Sequence, residues 1–140
     1  MSSVYAICEQ TFARLGLAQV LSTFQDLDVL GVEAALDTAA SFIERRSPDV
    51  VVVDVLGSSN PVSTIKRLRR ICENSKIIVL CPSGGTDFAV DMLDAGATGI
   101  LTNGCEPHDL GTAIRRVLNG DNYIQPDIAI EIFNTMREAD

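Results

Sequence analysis

The sequence predicts an α/β fold: a doubly wound, five-stranded parallel sheet in the order 2-1-3-4-5, with helices on both faces. Three observations lead there. Short apolar runs alternate with amphipathic stretches five times along the chain. The segment Pro48 to Asp54, PDVVVVD, holds four consecutive valines with no polar alternation, the mark of a central strand buried on both faces. The length of 140 residues, 46% apolar and 21% charged, suits one domain with a core of its own.

Each element has its own signal. Val4 to Cys8 is a compact apolar run, and Thr11 then opens a helix that sets Ala13, Leu17, Val20, Leu21 and Phe24 on one face. Val29 to Glu33 reads as a second strand, followed by a helix using Leu36, Ala39, Ala40 and Ile43. Ser47-Pro48 stops that helix, because proline disfavours α geometry in the residue before it. After the valine strand, Gly57 to Pro61 is loop by composition, and Ile65, Leu68 and Ile71 mark the third helix. Ile77 to Cys81 is the fourth strand, broken by Pro82-Ser83-Gly84-Gly85. A helix from Thr86 to Ala95 is closed by Gly96. Thr98 to Thr102 is the fifth strand, and Pro107 fits the first turn of a helix reaching Leu118. Beyond it, Pro126 breaks the chain before a short helix through Ile128, Ile132 and Met136.

Charge excludes some functions. Nineteen acidic against 11 basic side chains give a net −8, the wrong sign for a domain that grips nucleic acid unaided. No apolar run approaches the roughly 18–20 residues of a membrane span. The start, Met1-Ser2-Ser3, lacks the basic region of a secretory signal, so the expected setting is cytoplasmic. Cys8, Cys72, Cys81 and Cys105 are widely spaced and read as free thiols.

In an open α/β sheet, ligands bind outside the carboxyl ends of the strands. Those ends carry Glu9, Asp54, Cys81 and Asn103. Asp54 after four valines loses hydration unless something compensates it, which makes it the first functional candidate; a helix-capping or loop-anchoring carboxylate is the plainer alternative. Glu9 and Asp54 together could hold a hard cation such as Mg²⁺ through oxygen ligands and water.

These pieces, in this order, resemble the receiver domain of two-component response regulators over about Val4 to Leu118. The resemblance is carried by PDVVVVD, by IIVLCPS at Ile77 to Ser83, by AGATGIL at Ala95 to Leu101, and by Glu106-Pro107 opening the last helix. The tail Asn119 to Pro126 is similar to the linker of NarL/FixJ (LuxR-type) transcription regulators. The resemblance implies the CheY-like fold, with residues 1–120 as the receiver and 121–140 as a linker or extra helix. It puts Asp54 at the phosphoacceptor position and Glu9 at an acidic position that contacts Mg²⁺.

Departures from the family pattern set the functional expectation. Cys8 stands where the family has a second acid, Cys81 where it has the switch Thr or Ser, and Asn103 where it has Lys. Gly104 replaces the usual proline, and the loop after the third strand is a residue short, with Ser58 where proline is usual. A phosphoryl group adds about −1.5 to −2 charges. Its two usual partners, an ammonium and a hydroxyl, would each contribute on the order of 1.5–3 kcal/mol. Losing both removes as much as a typical allosteric coupling of about 1–3 kcal/mol. The expectation is therefore a degenerate, non-enzymatic receiver with weak Mg²⁺ binding, acting through protein contacts and dimerisation. Its dimer surface would be the helices after strands 4 and 5, or the first and last helices. A histidine kinase or another signalling protein would be a partner, and DNA would be reached only through a C-terminal domain outside these 140 residues. Two alternatives stand beside it: a conventional receiver phosphorylated on Asp54 by a histidine kinase, and a flavodoxin-like cofactor-binding protein.

Other features have plain readings. Cys8, Cys81 and Cys105, with His108 nearby, invite a redox or Zn²⁺ site, yet free cysteine is more often a small buried hydrophobe. Lys66, Arg67, Arg69, Arg70, Arg45 and Arg46 read as wet helix faces and C-terminal turns. Gly84-Gly85 lacks the spacing of a phosphate-cradling loop.

Overall fold

The computed structural model describes residues 1–82 and 86–138. Its elements follow the chain as β1 (Ser2–Cys8), α1 (Thr11–Ser22), β2 (Leu27–Glu33), α2 (Leu36–Arg46), β3 (Val50–Asp54) and α3 (Pro61–Ile71). They continue as β4 (Lys76–Cys81), α4 (Thr86–Ala95), β5 (Gly99–Thr102), α5 (Pro107–Leu118), β6 (Tyr123–Ile124) and α6 (Pro126–Glu138). The sheet is parallel, in the order β2-β1-β3-β4-β5-β6. The expected order 2-1-3-4-5 is present, and a sixth strand extends it beyond β5. A two-residue strand leaves no periodic signal in sequence; it forms because the Tyr123 and Gln125 N–H groups reach the Thr98 and Ile100 carbonyls. Residues Ser83-Gly84-Gly85, the expected break after the fourth strand, lie outside the described residues.

The valine strand explains the layering. Val51 and Val53 face a core with α2, α3 and α4, built on Ile43, Ile65, Leu68 and Met92. Val50 and Val52 face the opposite core, with Leu17, Leu21, Ile114 and Val117 of α1 and α5. All four valines are buried, as a strand with helices on both sides requires. Along α1 the buried stripe is narrower than the sequence suggests: Leu17 and Leu21 are covered, whereas Ala13 is exposed.

Local chemistry sets the helix ends. The Asn60 side chain accepts from the Ser63 N–H at 3.1 Å, and Pro61 occupies the first turn of α3. Asp109 accepts from the Glu106 N–H at 3.1 Å at the start of α5. Gly96, at φ +124°, ends α4 in a backbone conformation that other residues rarely adopt.

One arginine departs from the expected wet face. Arg69 is half-buried and donates to the carbonyls of Glu73 at 3.0 Å, Ser75 at 2.9 Å and Gly96 at 2.8 Å. It joins the end of α3 to the turn between α4 and β5. Arg67 pairs instead with Asp37 across the gap between α3 and α2.

Candidate functional site

Strand register decides what surrounds Asp54. Cys8 of β1 and Leu80 of β4 lie directly across from it, so the carboxylate emerges at the centre of the sheet's carboxyl edge. Its Oδ1 accepts from the Leu56 N–H at 2.9 Å, which fixes the first turn of the following loop. Its Oδ2 faces the Cys8 thiol, with the sulfur at 3.9 Å. Among the described residues, no Lys, Arg or His forms an ion pair with Asp54.

Asp54 borders two cavities. On one side is a cleft of about 540 Å³, shared with Glu9, Asp37, Arg67 and the Ser58–Asn60 loop. On the other is a smaller cavity of about 220 Å³, shared with Asn103, Cys105 and the Ala13, Gly16 and Leu17 side of α1. Gly57 makes room in the larger cleft. It sits at φ +90°, and a Cβ there would lie 3.3 Å from Glu9 Oε2. Glu9 and Asn103 therefore line different cavities beside Asp54. Asn103 is tied to Cys81 by its N–H, 2.9 Å from the Cys81 carbonyl.

The cysteines do not form one cluster. Cys8 belongs to the α1–α5 side of the sheet and Cys81 to the α2–α4 side. The Cys81 thiol lies 3.4 Å from the Leu101 carbonyl, turned into the core. Burial pushes its pKa up to about 11. Cys8 is raised first by burial and then by the Asp54 charge, and Cys105 first by burial and then by Asp109. Thiols shifted upward hold their protons at neutral pH, the state least suited to redox exchange or metal binding. Among the described residues, no three His, Cys, Asp or Glu side chains converge as metal ligands. His108 is exposed and paired with Asp109 at 3.3 Å.

The same chemistry bears on Mg²⁺. A hard cation wants several oxygen donors. Here Asp54 and Glu9 supply carboxylate oxygens, but the position facing Asp54 Oδ2 is a sulfur, a soft donor unsuited to this ion. Glu9 and Asp54 fit Mg²⁺ poorly.

Two contributors escaped the sequence reading. Arg14 donates to the Cys8 carbonyl at 3.1 Å and to the Glu9 carbonyl at 3.0 Å, bracing the corner that carries both residues. A signal for it existed: a cation in the first turn of a helix opposes the dipole and so needs a specific partner. Gln125 is the second. Its Oε1 accepts from the Thr102 N–H at 2.9 Å, next to Asn103, and no local pattern announces a contact across so many residues.

No family model matches the chain. Among curated proteins it is similar to the response regulator GacA of Pseudomonas aeruginosa, 26% identical over 133 residues, covering 94% of this chain and 62% of that protein. It is also similar to the transcriptional regulatory protein UhpA of Salmonella typhimurium, 29% identical over 132 residues, covering 94% of this chain and 66% of that one. The chain thus spans a little over three-fifths of the length of these relatives. Among solved structures, a LuxR-family two-component response regulator from Aurantimonas sp. SI85-9A1 superposes with a TM-score of 0.88 at 24% identity, covering 97% of this chain and 98% of that one. The chain therefore has the fold of a response-regulator receiver domain, with Asp54 at the central carboxyl edge of its sheet, and the curated proteins it is similar to are response regulators.

Proposed function

We propose that the chain is an atypical receiver of a transcription regulator, largely independent of phosphorylation, that works through protein contacts and dimerisation rather than catalysis. One observation supports this above the others: the Asp54 carboxylate faces the Cys8 sulfur at 3.9 Å, where the family places an acid. The switch positions add to it. Cys81 turns its thiol into the core, and Asn103 offers an amide where the family supplies an ammonium. A phosphoryl group on Asp54 would find neither of the partners that normally turn its charge into a shape change.

In this reading Asp54 retains the phosphoacceptor position, Glu9 and Asp54 bind Mg²⁺ weakly, and Cys8, Cys81 and Asn103 are the degenerate switch. Residues 1–120 form the receiver and 121–140 lead toward a DNA-binding domain. The protein works in the cytoplasm, with a histidine kinase or another signalling protein upstream. Phe12 and Leu15 stand exposed on α1, which favours the first and last helices of the receiver, α1 and α5, as the dimer surface.

A conventional, phosphorylated receiver is the second reading, favoured by one fact: Asp54 is only half-buried and opens onto a cleft that a phosphodonor can enter. Incubation with acetyl phosphate and Mg²⁺, followed by intact mass measurement, separates the two. The expected result is no phosphoryl adduct, or one that leaves the amide spectrum of α4 and β5 unchanged. An adduct lost in Asp54→Asn that shifts those amides would establish the conventional reading.

A further inference from the structure

Helix α6 carries more apolar surface than its packing uses. Ile128 is buried and Ile132 half-buried, whereas Ile130, Phe133 and Met136 stand 61%, 61% and 66% exposed. At about 100° per residue, the five side chains sweep an arc of roughly 200°, about twice the stripe that a helix packed on one side needs. Along that arc, between α4 and α6, runs a groove of about 480 Å³ whose walls include Val90, Ile132 and Met136. Asp87 and Asp91 form its α4 bank, and Val90 between them is 37% exposed.

The charges on the two helices are one-sided. Helix α4 carries Asp87, Asp91 and Asp94, and α6 carries Asp127, Glu131 and Glu138, with Arg137 the single cation in either. That arginine lies over the Phe133 ring, 5.9 Å from its centre.

We propose that the α4–α6 groove docks a cationic amphipathic helix of a partner protein. Charge selects this occupant. A second copy would set one bank of carboxylates against another, and like charges across an interface are costly. An anionic lipid surface would be repelled for the same reason. A basic helix instead places Lys or Arg beside Asp87 and Asp91 while its apolar face covers Val90, Ile132 and Met136, the usual manner of helix-in-groove recognition. Phe133, beside the groove and 61% exposed, extends the apolar surface that such a helix would cover.

The test uses the whole 140-residue chain and a fluorescent amphipathic Leu/Lys helix as probe. A Leu/Glu helix of the same pattern and a scrambled Leu/Lys peptide of the same charge serve as controls. Anisotropy should show saturable binding of the first peptide alone, with amide shifts confined to α4 and α6. Phe133→Ser or Met136→Ser should weaken it tenfold or more. Asp87→Asn with Asp91→Asn should weaken it and flatten its salt dependence, while the charge-matched pair Asp26→Asn with Asp28→Asn should not. The proposal fails if the scrambled peptide binds equally well, if both neutralised pairs behave alike, or if shifts scatter over the surface. It fails equally if Phe133→Ser changes the sedimentation of the free protein, since the face would then belong to a second copy.

Discussion

At the residue scale, the side chains at the carboxyl edge near Asp54 are set apart by what they can donate. A thiol occupies much the same space as a hydroxyl but is a weak donor, so Cys81 settles into the core at 1% exposure. That burial has a consequence for pH. Its pKa rises from an ordinary value near 9.0 to about 11, so at intermediate pH the folded protein keeps a proton that the unfolded chain has lost. The stability linked to this proton is complete below the unfolded pKa and is lost as pH climbs through the folded one. Urea unfolding should therefore weaken between about pH 9 and 11 with a limiting slope of about 1.4 kcal/mol per pH unit. The other raised thiols add the same sign, so the difference between the unmodified protein and Cys81→Val isolates this one. An unchanged slope in that variant would show that Cys81 titrates freely. The identities of Cys8, Cys81 and Asn103 are plain in the sequence, but whether a side chain turns toward Asp54 or away from it depends on strand register and on which face each residue takes.

At the element scale, the strands and most helices were legible because each carries its own period or an unbroken apolar run. The four valines fixed the centre of the sheet, and Pro107 and Gly96 fixed helix ends, whereas Pro61, expected in the loop, opens α3 behind the Asn60 cap. What was not legible joins elements distant in the chain. Arg69 looks like any polar residue on an amphipathic helix, yet it holds three carbonyls from two different segments. Arg69→Ala should cost about 2–3 kcal/mol, measured by urea unfolding, because the half-buried carbonyls lose a charged donor; a cost below half a kcal/mol would show that water replaces it. Gln125 similarly closes the edge of β5. Gln125→Ala frees the Thr102 N–H, and its hydrogen exchange should accelerate together with that of β6 while β1 and β3 stay protected. Uniform acceleration across the sheet would mean that the contact supports the whole fold rather than its edge.

At the scale of the whole molecule, a receiver signals only if a charge placed at one end of the sheet changes the helices that partners touch. That link needs a differential interaction, stronger in one conformation than the other. On the function proposed above, a carboxyl edge with a sulfur at Cys8, a core-facing thiol at Cys81 and a neutral amide at Asn103 leaves a phosphoryl charge little to pull. Meanwhile β6 pairs with β5, and the Thr86 hydroxyl donates to Glu131 at 3.5 Å, which links α4 and the sheet edge to the C-terminal segment away from Asp54. The unmodified domain should therefore already hold its working shape. Dimer affinity, measured by sedimentation with and without beryllofluoride and Mg²⁺, should change less than about threefold, and Asp54→Asn should leave it unaltered. The double substitution Cys81→Thr with Asn103→Lys restores a hydroxyl and an ammonium, and should make the affinity respond to beryllofluoride. A tenfold rise in the unmodified protein, about 1.4 kcal/mol, would mean that Asp54 still drives the switch through partners other than these two. No response in the double variant would place the block elsewhere, at Cys8 or in the straps that hold β5 and α4.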